Sequence, residues 1–313
     1  MTTLMDVAER AGVSKSTVSN VIRGTAMVAE ETRLRVERAI AETGYHPNAI
    51  ARSLKARTSS AIGIVVPDLT NPFYAQLAVG VERAANALGY AVLTAHTECL
   101  PATEDEAARA WIERRVDGVI IGGMSLASTL PKALLDRDIP VVLASLGEFD
   151  DPRLGVIDHD DVAAMEAIVE HLYALGHRRL AFVSDHLREH AGERRYLGFK
   201  KALKKRRLMP IAIDDGATAV VAHNDMQAIA TIDRLERRGL KVPDDVSVVG
   251  FDDVPLAAHN RIQLTTVRSD AVEMSRRAVD LVVGAARDGR SVSHRELLDV
   301  SLVVRATTGR PPL

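Results

Sequence analysis

Apolar positions along this chain follow two different rules. In residues 3–44 they recur at the spacing of short amphipathic helices. Thr3 can cap a first helix with Asp6 three positions on, and Met5, Ala8 and Ala11 fall on one face with Val7 beside them. Gly12 supplies a turn. Ser14 can then cap a second helix whose Val18, Val21 and Ile22 point inward while Lys15, Ser16, Ser19 and Asn20 point out. A third helix follows in "EETRLRVERAIAETG", with Val36, Ala39 and Ile40 on its buried stripe and Gly44 as its stop. From Ala61 onward, short β-branched runs alternate with helical stretches. The runs are "AIGIVVPD", "YAVLTAH", "VDGVIIGG", "IPVVLAS", "LGVID", "RLAFVSD", "TAVVAHN" and "VSVVGFDD". Between them lie patterns such as "PFYAQLAVGVERAANALG", "TEDEAARAWIERR", "DDVAAMEAIVEHLYALG", "ERRYLGFKKALKKRR" and "DMQAIATIDRLERRG", each long enough for a right-handed crossover between parallel strands. The fold class is therefore a small all-α headpiece plus an α/β core with parallel sheets. The series divides into halves near "LGEFDDPRLG", and the part after Asp270 adds a long helix and a final strand pair, so two lobes joined by several chain crossings are expected.

Length and composition narrow the class. The 313 residues are 47 % hydrophobic, enough for two or three globular units. No apolar run approaches the roughly 18 residues that span a bilayer, and no apolar stretch follows a basic segment at the start, so a cytoplasmic protein without membrane partner is expected. The single cysteine, Cys99, excludes an internal disulfide and reads as packing. The net charge of −2 conceals an asymmetry: residues 1–58 hold nine Lys/Arg against six Asp/Glu. Within them "YHPNAIARSLKARTSS" has Arg52, Lys55 and Arg57 and no acid, as a segment facing a polyanion requires.

The opening unit is too small to enclose anything, and its second helix is too short to stand alone. It reads as a platform that presents that helix. Small donors and acceptors near a helix N-terminus suit the DNA major groove, where the helix dipole also favours phosphate. The alternative is a three-helix cap with a solvated polar face.

At this point the residues resemble the lactose-repressor (LacI) family of bacterial transcription regulators. The resemblance rests on "DVAERAGVSKSTVSNVI", "VERAIAETGYHPNAIARSL", "IGIVVPDLTNPFYAQLAVGVERAANALGY", "RRVDGVII", "HLYALGHRRLAFV", "HNDMQAIA" and "VPDDVSVVGFDDVPLA", in one order over nearly the whole chain. It implies a helix-turn-helix headpiece (1–46), a hinge helix and linker (47–60), and a core like that of periplasmic binding proteins (61–313). The lobes are expected at about 61–150 with 268–290 and about 155–265 with 291–313. It also implies a homodimer on a near-palindromic double-stranded operator, under control of a small-molecule effector such as a sugar or nucleoside, with no cofactor and no catalysis. Thr3, Ser14, Lys15, Ser16, Thr17, Ser19 and Asn20 are the implied DNA contacts of the headpiece, and Asn48, Ala51, Arg52, Leu54 and Lys55 those of the hinge. Leu54 matches a leucine wedged into the minor groove. Asn20 stands where relatives often carry arginine; arginine favours guanine edges and asparagine adenine, which changes the base to be read. Ala29 stands where many relatives place a serine cap.

Open parallel sheets bind ligands beyond the carboxyl ends of their strands. The residues there that the resemblance assigns to the effector are Asn71, Phe73, Ser145, Arg195, Asn224 and Asp252. Asn224 and Asp252 could instead cap the helices they precede, and for Asp253 capping is the preferred reading. Ser145 occupies a place where some sugar-responsive relatives have aspartate. Between Leu208 and Thr218 this chain has only "MPIAIDDGA" where relatives have about 40 residues, so a strand-helix unit of the second lobe is missing and "PIAID" can serve as a stub. An altered effector response is then expected, and a small-molecule binding protein with impaired response is the rival to the regulator. The "DHDD" at 158–161 reads as capping acids rather than a metal site, and the basic run Lys200 to Arg207 as a solvated face. No nucleophile triad, phosphate loop or nicotinamide motif points to an enzyme.

Overall fold

The computed structural model describes residues 2–23, 28–45, 58–147, 149–185 and 189–312, as two compact units divided between Ser59 and Ser60. The first unit holds three helices, α1 (Leu4–Ala11), α2 (Lys15–Arg23) and α3 (Glu30–Thr43). Thr3 and Asp6 form a reciprocal capping box at the start of α1: the Thr3 amide donates to the Asp6 carboxylate at 2.7 Å, and the Asp6 amide donates to the Thr3 hydroxyl at 3.4 Å. Gly12 ends α1 at φ 65°, a left-handed turn that costs glycine little. Val7, Ala8, Ala11, Val18, Val36 and Ala39 form the buried centre, with Val21, Ile22 and Ile40 packed against it. Met5 is 61 % exposed, contrary to its expected place on the inner face, because the apolar stripe of α1 runs through Val7 instead.

The second unit carries two sheets. The first is six parallel strands in the order β10-β5-β4-β3-β1-β2: β1 (Ala61–Val66), β2 (Ala91–His96), β3 (Gly118–Ile121), β4 (Val141–Ala144), β5 (Gly155–His159) and β10 (His294–Leu298). Helices α4 (Pro72–Ala87) and α10 (Ala271–Asp288) cover one face, and α5 (Pro101–Arg114) and the short α6 (Leu130–Leu135) the other. Strand β1 is buried on both faces, and Gly63 within it leaves the space that the Trp111 indole of α5 fills; a Cβ there would approach the ring to 2.8 Å. The second sheet has parallel β6 (Leu180–Val183), β7 (Ala219–Ala222) and β8 (Ser247–Val249), flanked by α7 (Asp161–Leu175), α8 (His190–Lys205) and α9 (Asp225–Arg237). Beside β8 run β9 (Thr266–Arg268) and its antiparallel partner β11 (Ser301–Val303).

Three crossings join the lobes, at 159–161, 268–271 and 298–301. This corrects the expected lobe limits in two places. Strands β5 and β10, anticipated in the second lobe, pair with each other in the first sheet, His294 beside Gly155. The last two strands do not pair with each other; each joins a different lobe. Turn-rich residues after β4 suggest a boundary, yet the buried apolar run of β5 belongs with the neighbours it pairs with.

The segment between Leu208 and Thr218 is short. The Ile211 amide donates to the Leu180 carbonyl at 3.1 Å and forms a single parallel bridge to Ala181 at the sheet edge. A 3-10 turn, Ile213–Asp215, then leads into β7, its Asp214 carboxylate paired with Arg238 of the turn after α9.

Ala29 precedes α3 without a side-chain bond, and Glu30 and Glu31 compensate in the first turn, Glu30 paired with Arg33 at 2.6 Å. Replacing Ala29 with Ser supplies an acceptor at that position. We expect amide-exchange protection in the first turn of α3 to rise by about 1 kcal/mol; unchanged protection would mean that the Glu30 and Glu31 charges already satisfy this end.

Candidate recognition helix and effector cleft

The outward side of α2 is built from its first turn. The Ser14 hydroxyl accepts from the Thr17 amide at 3.1 Å and shares hydrogen bonds with the hydroxyls of Ser16 (2.7 Å) and Thr17 (2.9 Å). Ser14, Lys15 and Ser16 are exposed, and Thr17, Ser19 and Asn20 half-buried, so a ridge of small hydroxyls with one amide and one cation lies at the positive end of a helix dipole. Val18 is fully buried and fixes the rotation that turns this ridge outward. Thr3, also expected to touch DNA, is exposed and committed to its capping box. The expected hinge contacts Asn48, Ala51, Arg52, Leu54 and Lys55 lie outside the described residues.

In the second unit the six cleft candidates are all less than a tenth exposed. Asn71 and Asn224 cap α4 and α9: their side-chain oxygens accept from the amides of Phe73 (3.0 Å) and Gln227 (2.8 Å). Capping uses the oxygen and leaves each NH₂ as the group able to face a ligand. Phe73 packs into the apolar cluster of the second lobe and meets Tyr74 edge-on at 5.2 Å. Ser145 sits at φ 64° just past β4, its amide donating to Ile157. Arg195 is fully engaged within the second lobe: it donates to the His223 carbonyl at 2.8 Å, lies 3.6 Å above the Phe251 ring, and faces Asp161 (3.5 Å) and Asp252 (3.6 Å). Burial pushes the Asp252 carboxyl well above the usual carboxylate range despite Arg195, and its Oδ1 lacks a hydrogen bond. Asp253 does not cap a helix; its carboxylate holds Arg268 at 2.7 Å and Arg305 at 2.6 Å.

Other polar residues lie outside these six candidates. Of the acids in "DHDD", only Asp160 is a cap, accepting from the Ala163 amide at 2.9 Å. Asp158 and Asp161 both bind Arg194. Glu104 accepts from the Ser125 amide at 2.7 Å, and Ser125 bridges antiparallel to Glu189. Burial, then Glu189, raises the thiol pKa of Cys99 and keeps it protonated. Asp158 follows an apolar strand in the same way as the residues that were chosen, and that signal could have found it. Asp225, beside Asn224, turns inward and accepts from Val254 (2.8 Å) and Thr266, and burial lifts its carboxyl to about 7. The basic residues Lys200, Lys201, Lys204, Lys205, Arg206 and Arg207 are exposed, with Lys205 paired to Glu166 and Arg206 to Glu170, while Ala202 and Leu203 between them are buried.

Comparison with known proteins decides the family. The pattern of bacterial regulatory proteins of the lacI family matches residues 3–48, that of periplasmic binding proteins and the sugar binding domain of the LacI family matches 59–216, and that of a periplasmic binding protein-like domain matches 169–308. The chain belongs to the LacI family. It is 32 % identical to the HTH-type transcriptional repressor PurR of Vibrio atlanticus (strain LGP32), over 92 % of this chain and 93 % of that one. The PurR of Vibrio vulnificus (strain CMCP6) is also 32 % identical, over 98 % of both chains. Among solved structures, the lac repressor dimer bound to operator and the anti-inducer ONPF superposes with a TM-score of 0.86, at 29 % identity over 98 % of this chain and 99 % of that one. The transcriptional regulator CelR in complex with cellobiose superposes with a TM-score of 0.72 at 27 % identity, over 98 % of this chain and all of that one. These LacI-family relatives are regulators rather than enzymes. No helix among the described residues is long and apolar enough to cross a membrane.

His159 gives a pH test of the cleft floor. Its ring is 1 % exposed with neither nitrogen hydrogen-bonded, and burial, opposed by Asp161 and reinforced by Arg195 and Arg194, lowers its pKa to about 4. A base whose folded pKa is depressed contributes full stability above its unfolded pKa, about 6.5, and loses it as pH falls toward 4. Between pH 7.5 and 5 the wild type should lose about 2 kcal/mol more unfolding free energy than His159→Gln. Equal losses in urea titrations would place the ring in water.

Proposed function

We propose that this LacI-family chain is a sequence-specific repressor that binds a near-palindromic operator as a homodimer and answers to a small molecule held between its lobes. The observation that carries the reading is the ridge on α2: a Ser14-capped start, exposed Lys15 and Ser16, and Asn20 a turn farther along, held outward by buried Val18. Short hydroxyl and amide groups on a helix of this size match base edges and phosphates in the major groove. One such helix reads only a few base pairs, so twofold symmetry is needed for specificity. An apolar groove on α4 and α10, lined by Ala75, Val79, Ala84 and Val272, supports self-association; Val79 and Val272 are 44 % and 64 % exposed in the single chain. The lac repressor relative is described as a dimer on operator with a ligand, which supports the same assembly here. The stub at Ile211 favours an effector response different from that of longer relatives.

Selection of duplexes from a random pool should enrich a near-palindromic sequence, and the Asn20→Arg variant should move one position in each half-site from adenine to guanine. A pool unchanged by either protein would contradict the reading. Sedimentation of a Val272→Glu variant should show monomers where the wild type is dimeric, with at least tenfold weaker DNA binding; an unaltered dimer would remove the α4–α10 groove from the interface.

A further inference from the structure

The N-terminal end of α8, in the second lobe, touches first-lobe elements at four places. Glu189, just before the helix, bridges to Ser125 in the loop after β3. The His190 ring stacks on Phe149, in the loop after β4, with centroids 4.7 Å apart. Arg194 packs on Gly147 of that same loop, where a Cβ would collide with the guanidinium. Arg194 also donates to both oxygens of Asp158 on β5, at 2.5 and 3.2 Å, while its other contact is Asp161 at the start of α7 in its own lobe. One guanidinium thus neutralises a carboxylate from each side of the crossing. All three groups are shielded, with Asp158 and Asp161 side chains 6 % and 4 % exposed and Arg194 24 %. Ser125, Gly147 and Phe149 lie beyond strand carboxyl ends and Asp158 is the penultimate residue of β5, so these first-lobe contacts sit at the sheet edge where a ligand of this architecture binds.

We propose that Arg194 does for this chain what a bound small molecule does in a ligand-closed cleft: it draws the lobes together unaided, so that the unliganded protein is the closed, DNA-binding form and an effector acts by displacing Arg194 from Asp158. This rests on the regulator reading and specifies its sign. Closing a cleft with a ligand requires that the ligand prefer the closed arrangement, and its influence is limited to that difference in affinity. Here the preference is supplied by side chains of α8 itself. An effector entering the cleft meets lobes already tied together by Arg194 and Asp158, and breaking that tie is the change it can drive.

The test uses the full chain without metabolites. Small-angle scattering gives the separation of the lobes, and titration with the selected duplex gives affinity. The wild type should scatter as the closed form. Asp158→Asn/Arg194→Gln removes cation and first-lobe anion together and leaves the buried Asp161 facing Arg195 at 3.5 Å; it should stay folded by circular dichroism, increase the radius of gyration, and bind duplex at least tenfold more weakly. Gly147→Ala, which pushes a methyl against the guanidinium, should shift both readouts the same way to a smaller extent. Wild-type scattering of the open form, or a double variant as compact as the wild type, would overturn the proposal. If the wild type binds no duplex, the regulator reading falls while the scattering comparison still decides whether Arg194 closes the lobes.

Discussion

The core depends on one constraint: two parallel sheets present their carboxyl ends to one another, and the polar groups gathered there are taken out of water. A parallel sheet puts every strand end on the same edge, and three chain crossings hold the two edges face to face. Buried donors and acceptors at such an edge must pair with each other or with a ligand. Most of them pair here. Asn71 and Asn224 spend their oxygens on helix caps, Arg195 is committed to His223, Phe251 and two acids, and Arg194 ties Asp158 to Asp161. Among the groups left without a hydrogen bond, Asp252 Oδ1 and the His159 ring are held toward their neutral forms by burial.

The headpiece obeys a different constraint. Six small buried side chains support three helices, and the stability of α2 comes from Val18 docking on α1 and α3 rather than from its nine residues alone. A short helix held by one face is free to commit the other entirely to solvent or to DNA. This economy explains why caps matter: Thr3 and Ser14 each satisfy a helix end while lying beside the surface that reads.

Much of this could be read from the chain. All eight β-branched runs became strands, most of them buried on both faces and β2 at the sheet edge, and Thr3, Gly12, Ser14 and Gly44 acted as the punctuation their chemistry predicts. The strand-end rule collected six residues that are all less than a tenth exposed. What escaped was pairing. Periodicity does not say which sheet a strand joins, so β5 and β10 were assigned to the wrong lobe. Nor does it say which acid meets which base: "DHDD" looks like a cap, and one of its members is, but Arg194, 33 to 36 residues away, claims two others. Met5 was misplaced because an eight-residue helix has room for two near-equivalent stripes.

A protein built in this way joins a self-satisfied core to a polar helical ridge whose chemistry suits a polyanion. The most direct check of that account is the affinity of the purified full chain for its selected duplex as a function of salt. Each phosphate neutralised should contribute about −0.9 to the slope of log K against log salt, so a pair of headpieces making several contacts each predicts a slope steeper than about −4. A flat salt dependence, or equal affinity for shuffled duplex at every salt concentration, would contradict it.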